Sequence, residues 1–154
     1  MKSTNYLINE HENHNALFKR IKSGDISALQ ELRSALIRHI RLEEKFLFEP
    51  CLEIECLELD TRFAWEEHNL IMQLLQRLDE QSIGSSSWIA KVRLIEELHL
   101  IHVAFEENVL FPQIEKEFSA RNLECIEVRM KEHRQDLLPD KILYPEHPGE
   151  HQID

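Results

Sequence analysis

Two segments of this chain are near copies of each other. "HIRLEEKFLFEP" runs from His39 to Pro50 and "HVAFEENVLFPQ" from His102 to Gln113. Each reads His, three residues, Glu-Glu, two residues, Leu-Phe, then a proline. Residues four apart stand on one face of an α-helix, so each copy places a histidine and a glutamate side by side on a helical surface. Apolar residues continue that stripe on both sides: Leu29, Leu32, Leu36 and Phe46 around the first copy, Val92, Ile95 and Val109 around the second. Steps of three and four residues are the helical period. A chain that writes this pattern twice is constrained to a helical fold with two comparable halves.

The rest of the chain supplies the missing helices. A first helix is expected from about Thr4 to Lys22, with Leu7, His11, His14, Phe18 and Ile21 on one stripe. "SGD" at residues 23–25 ends it, and Asp25 is a candidate cap for the second helix. After Pro50 the segment "CLEIECLEL" reads as a bent continuation or a short separate helix, with Asp60 or Thr61 as the cap of a third long helix. That helix carries Trp65, His68, Met72, Leu75 and Leu78. "DEQSIGSSS" is a loop whose serines can cap the fourth helix. A fifth helix is expected between about Ser119 and Leu137. Only three glycines and five prolines occur, as long helices require. The expected fold is all-α: an antiparallel four-helix bundle of two HxxxE-bearing hairpins with an additional C-terminal helix. Residues 1–138 form this domain and 139–154 an irregular tail, in which His147 and His151 are read as solvated.

Charge and composition narrow the function. A formal net charge of −11 argues against a nucleic-acid surface, which needs clustered Lys and Arg. No run approaches the ~18 apolar residues of a membrane span, and the N-terminus has neither the apolar block nor the cleavage site of a signal peptide. A cytoplasmic location is expected. Cys51, Cys56 and Cys125 form no CxxC pair and read as idle thiols in a reducing compartment.

The duplication extends to the first helix of each half. "ENHNALF" around His14 matches "EEHNLIM" around His68, which makes His14 the preferred lone histidine and leaves His11 as an outer neighbour or surface residue. His14, His39, Glu43, His68, His102 and Glu106 then all fall on stripes directed at the bundle axis. A glutamate is rarely buried unless it is paired or bound to metal. Four imidazoles and two carboxylates at equivalent points share a bound cation. If the glutamates bridge two ions, each ion receives two nitrogens and two oxygens, and an octahedral metal keeps two positions for a bridging oxygen and a small external ligand. The donor set suits iron, manganese or zinc. His99 is read as a core residue or outer partner, and His133 as a packing or surface residue. A ferritin-like di-iron bundle would need Glu-x-x-His on two helices; only Glu96-x-x-His99 has that spacing.

With His14, His39-x-x-x-Glu43, His68 and His102-x-x-x-Glu106, and "LF" and proline after each Glu-Glu, residues 5–135 resemble the hemerythrin-like family of HHE cation-binding domains. The resemblance implies a non-haem di-iron centre: two irons with a bridging oxo or hydroxo group, spanned by Glu43 and Glu106, and all six residues as ligands. Oxygen-carrying members have a second histidine where this chain has Met72, and an aspartate one residue beyond Glu106, where Glu107 stands. The six-ligand pattern is more similar to the di-iron domain of repair-of-iron-centres proteins. The resemblance thus implies a protein that binds O2, NO or peroxide for sensing, scavenging or iron-centre repair under oxidative or nitrosative stress. The alternatives are a di-iron oxidase, peroxidase or NO reductase, and a metal-stabilised interaction module. Neither a protein partner nor an oligomeric state is implied.

Overall fold

The computed structural model describes residues 2–136. The expected tail from 139, the end of the fifth helix at Leu137 and the boundary at 138 lie outside the described residues. Among the described residues every regular element is helical. α1 spans Ser3–Lys22, α2 Ser27–Glu43, α3 Glu49–Leu52, α4 Glu55–Leu78, α5 Ser86–Phe105, α6 Phe111–Glu117 and α7 Ala120–His133. α1 pairs with α2 and α4 with α5, which gives the two hairpins of the bundle, while α7 lies against α1. No helix is long and apolar enough to cross a membrane, among the described residues.

The two Glu-Glu copies do more than carry carboxylates. Each opens a single wide π-helical turn, Glu44–Phe48 after α2 and Glu106–Leu110 after α5. In the first, the Glu49 N–H reaches back to the Glu44 carbonyl; in the second, the Phe111 N–H reaches the Glu106 carbonyl. The next residue in each case is a proline, which has no N–H to offer and crowds the carbonyl of the preceding turn. A widened turn gives the ring room and lets the helix continue past it. Such turns occur frequently at functional sites. The extra residue also advances the helical phase, so Leu110 is buried while Val109, expected on the inner stripe, is exposed.

Two other boundaries follow from local chemistry. Ser85 caps α5, its hydroxyl accepting from the Trp88 N–H at 3.2 Å, in the serine-rich loop that was expected to do so. α4 begins at Glu55, not at Asp60 or Thr61. Thr61 lies within the helix and is buried, because Leu57, Thr61 and Ala64 continue the inner stripe of α4 by one more turn.

The core divides in two along the bundle. One cluster, at the end of the interhelical loops, contains Phe18, Leu32, Leu36, Ile71, Leu75 and Ile95. The other, at the proline end, contains Leu7, Leu42, Phe48, Leu57, Phe111 and Met130. Between them every helix of the bundle contributes buried polar residues: His11 and His14 from α1, His39 and Glu43 from α2, His68 from α4, His99 and His102 from α5, with Glu106 just beyond it. A stretch of core that could have been filled with leucine is filled with imidazoles and carboxylates. Burial of such groups is costly unless they are mutually satisfied or hold an ion.

Candidate metal centre

Four of these residues, Glu43, His68, His102 and Glu106, present donor atoms that all lie within 4.8 Å of one another. A second group, His11, His39 and Glu106, meets the same limit. The two groups share Glu106, so the arrangement is one elongated centre with two positions. The fold therefore gathers His39, Glu43, His68, His102 and Glu106 as the sequence leads one to expect. His14 belongs to neither group, and His11, one turn earlier on α1, occupies the corresponding place.

The histidines are set by an outer ring of carboxylates. His39 Nδ1–H donates to Glu10 at 2.7 Å, His68 Nδ1–H to Glu44 at 3.1 Å and His102 Nδ1–H to Glu67 at 3.0 Å. The fourth pair, His11 Nδ1 and Glu107, stands at 3.8 Å. A proton fixed on Nδ1 leaves the neutral ring with its lone pair on Nε2. Those Nε2 atoms converge: His11 and His39 approach to 3.2 Å, His68 and His102 to 2.9 Å. Two imidazole lone pairs that close repel each other unless a cation or a proton lies between them.

The carboxylates point the same way. Glu43 and Glu106 are completely buried, and none of their four oxygens has a hydrogen bond of good geometry. Ring nitrogens stand close to them: Glu43 lies 3.2 Å from His39 Nε2 and 3.3 Å from His68 Nε2, and Glu106 touches His102 Nε2. Buried carboxylates in native proteins are paired or coordinate an ion. Glu43, set between His39 and His68, reaches across both halves.

The same contacts bias the protonation of the cluster. Burial works against a charged His39, but Glu43 and Glu10 outweigh it and raise the group to about 10. His68 is likewise raised, against burial, by Glu43 and Glu44. Their partners move the other way: burial and the neighbouring His68 bring His102 down to about 4, and burial and His39 hold His11 well below its ordinary value. Within each close imidazole pair the two rings thus shift in opposite directions, His39 and His68 toward the charged form and His11 and His102 toward the neutral one. Burial and the facing Glu43 push the Glu106 carboxyl well above the usual range, whereas its close neighbours Glu106, His39 and His68 outweigh burial and hold Glu43 well below it.

The internal symmetry explains why His11, not His14, is at the centre. Superimposing His11 on His68 displaces the first helix by 57 residues, and it superimposes Glu10 on Glu67, the two carboxylates that hold His39 and His102. The same relation holds for ring stacking. Phe48 stacks on His68 at 5.1 Å between centroids, and Phe111, its counterpart in the second copy, stacks parallel to His11 at 6.1 Å. The signal in the sequence is the dipeptide Glu-His, at residues 10–11 and again at 67–68. The asparagine that follows both His14 and His68 is a weaker guide, because it makes no comparable contact with the centre.

His14 and His99 remain beside the first position. Their ring centroids are 5.4 Å apart, and His14 lies 5.0 Å from His39. Both are buried, and His14 Nδ1 and His99 Nε2 have no hydrogen-bond partner. The His14 ring donates to the Ala35 backbone. Burial depresses both groups, His99 to about 3, so they are neutral. At the equivalent points of the other half stand Ile71 and Leu36.

A helical bundle with a buried four-histidine, two-glutamate centre of this kind defines a class of metal-binding domain. The family model described as the hemerythrin HHE cation binding domain matches residues 3–114, and the chain belongs to that family. No curated protein and no solved structure matches it. The matched span contains both hairpins and every donor named above; α7 lies beyond it.

Proposed function

We propose that the chain is a non-haem di-iron protein. His11, His39, His68 and His102 are its nitrogen ligands and Glu43 and Glu106 its shared carboxylates. The observation that carries this reading is the pair of facing Nε2 contacts, 3.2 and 2.9 Å, set against two buried carboxylates whose oxygens lack hydrogen bonds. Placing His11 in the set, in place of His14, rests on the Glu10 and Phe111 contacts that mirror those of the second half. Iron is favoured over manganese or zinc by the family resemblance, and the donor chemistry accommodates each.

Bound irons supply redox chemistry and coordination positions for a small ligand such as O2, NO or peroxide. The chain does the rest. Glu10, Glu44 and Glu67 fix the ring tautomers and orient Nε2 inward. Leu42, Phe48, Met72 and Phe111 are buried around the centre and exclude water. His14 and His99 make the surroundings of the first position polar, while Ile71 and Leu36 leave those of the second apolar. We read the role as sensing, scavenging or iron-centre repair under oxidative or nitrosative stress. The test is metal content per chain after purification from iron-replete cells, with optical spectra before and after reduction and on addition of NO. Two irons and a spectrum that responds to reduction and NO support the proposal. A single zinc, or no metal, refutes it.

A further inference from the structure

The family match ends at residue 114, yet the C-terminal helix that follows reaches the metal centre through one side chain. Arg134, at the end of α7, bonds Glu10 Oε1 and donates to the Tyr6 hydroxyl at 2.7 Å. The other oxygen of Glu10 accepts from His39 Nδ1 at 2.7 Å. Arg134, Glu10 and His39 therefore form a continuous chain from the added helix to a ring whose Nε2 points into the first metal position.

We propose that Arg134 is a positioning residue for the His11–His39 metal position, acting through Glu10, so that the docking of α7 sets the affinity of that position. The proposal rests on the di-metal reading above. Three features support it. Glu10 is held on both oxygens, so its orientation, and through it that of the His39 ring, is fixed from both ends. α7 is itself firmly seated: Leu123, Ile126 and Met130 are buried, the His133 ring lies 4.9 Å from Phe46, and Arg129 sits 5.1 Å over the same ring. The second half also lacks one part of the device. α7 packs on α1, and the residue that corresponds to Tyr6 in the second half is Phe63, which has no hydroxyl to receive an arginine. A simple surface tie between Arg134 and Glu10 would contribute little to folding and would not distinguish the two metal positions.

The experiment is a Co2+ titration of the full chain, followed by absorption and by competition with a chelator, for the native protein, Arg134→Met, Glu10→Gln, the double variant and Glu67→Gln. The native chain is expected to bind two Co2+ in two resolvable steps. Outer-shell partners of metal ligands typically contribute about 10–100-fold to affinity. Arg134→Met should weaken one step about tenfold and leave the other unchanged. Glu10→Gln should weaken that same step at least as much, Glu67→Gln the other one, and the double variant should bind no worse than Glu10→Gln alone. Additive effects in the double variant, equal weakening of both steps, or native Co2+ affinities in Arg134→Met would overturn the proposal. A lowered melting temperature with unchanged Co2+ steps would do the same, since it marks a purely structural contact. Native protein that binds no Co2+ would remove the di-metal reading and this inference together. Native binding of two ions with an indifferent Arg134→Met removes this inference only.

Discussion

Replacing Glu106 by glutamine separates the metal-binding role of this residue from its role in the fold. Glu106 is fully buried and faces Glu43, and in the metal-free protein burial together with that neighbour keeps it protonated. Glutamine has nearly the shape of a protonated glutamic acid and carries no charge, so metal-free Glu106→Gln should keep its stability to within about 1 kcal/mol at pH 5. The folded carboxyl titrates above its unfolded value of 4.5. Its stabilising contribution is therefore complete below pH 4.5 and is lost as the pH rises through the folded value, by up to about 1.4 kcal/mol per pH unit. The variant has no such group, so above neutrality it should be the more stable of the two metal-free proteins. With metal the order reverses. At free metal about 100 times the dissociation constant, binding stabilises the native protein by about 2.7 kcal/mol per site, and for a chain of this size each kcal/mol raises Tm by about 2–4 °C. Calorimetric melting with chelator and with excess metal, at pH 5 and pH 8, measures all four quantities. Both proposed metal positions use Glu106, so the metal-induced rise of roughly 5–10 °C per site should disappear in the variant. The reasoning is refuted if Glu106→Gln keeps the native rise in Tm. It is equally refuted if the metal-free variant loses more than about 3 kcal/mol at pH 5, the cost of breaking a buried charge pair.

Three further outcomes are expected. His11→Ala should bind one metal ion fewer per chain and His14→Ala should keep both, measured as bound metal after gel filtration; the reverse result would return the lone-histidine role to His14. Loading two divalent ions at pH 7 should release protons, from His39 above all, which is raised to about 10, with His68 and Glu106 also shifted toward the protonated form; calorimetry in buffers of different ionisation enthalpy counts them, and proton-neutral binding would contradict the assignment. His99 is depressed by burial to about 3, so the stability it contributes is present above pH 6.5 and lost as the pH falls toward 3. His99→Leu, which installs the residue found at the equivalent position 36, should flatten the acid limb of metal-free stability in urea melts from pH 6.5 to 4, and an unchanged slope would show that His99 is not buried in its neutral form.

Much of this arrangement is readable from the residues alone, because helical periodicity specifies which face a side chain occupies. Glu43 and Glu106 stand on inner stripes beside His39 and His102, so their burial and their meeting across the bundle follow from spacing. Depth along the bundle is another matter. His11 and His14 lie on the same stripe of α1 about one turn apart; the contacts between helices, Glu10 to His39 and Phe111 to His11, distinguish them, and the repeated Glu-His dipeptide is their only mark in the sequence. The π-turns are hidden for a related reason. A sequence stripe assumes a constant 3.6-residue period, and a single widened turn exchanges Val109 for Leu110 at the interface. The proline after each Leu-Phe is the local cause. The start of α4 at Glu55 went unmarked because Ile54 bonds no side chain as its cap; the helix there is held by burial of Leu57 and Thr61.

The two halves agree in everything that touches the candidate ions and differ in what surrounds them. Glutamate holds the ring in each hairpin, phenylalanine stacks on each lone histidine, and a π-turn follows each HxxxE. Around this common frame, the first position has His14 and His99 beside it and Arg134 behind Glu10, where the second has Ile71, Leu36 and no counterpart of the Tyr6 hydroxyl. A duplicated hairpin is sufficient to assemble the six proposed ligands, since each half needs only one lone histidine and one HxxxE. It cannot by itself make the two positions different. The differences here arise from single substitutions on the inner stripes and from a helix added after the matched domain, both of which leave the ligands untouched. The divergence of the halves is therefore confined to residues that tune a metal position without building one, and this is the pattern expected if the two positions have separate tasks.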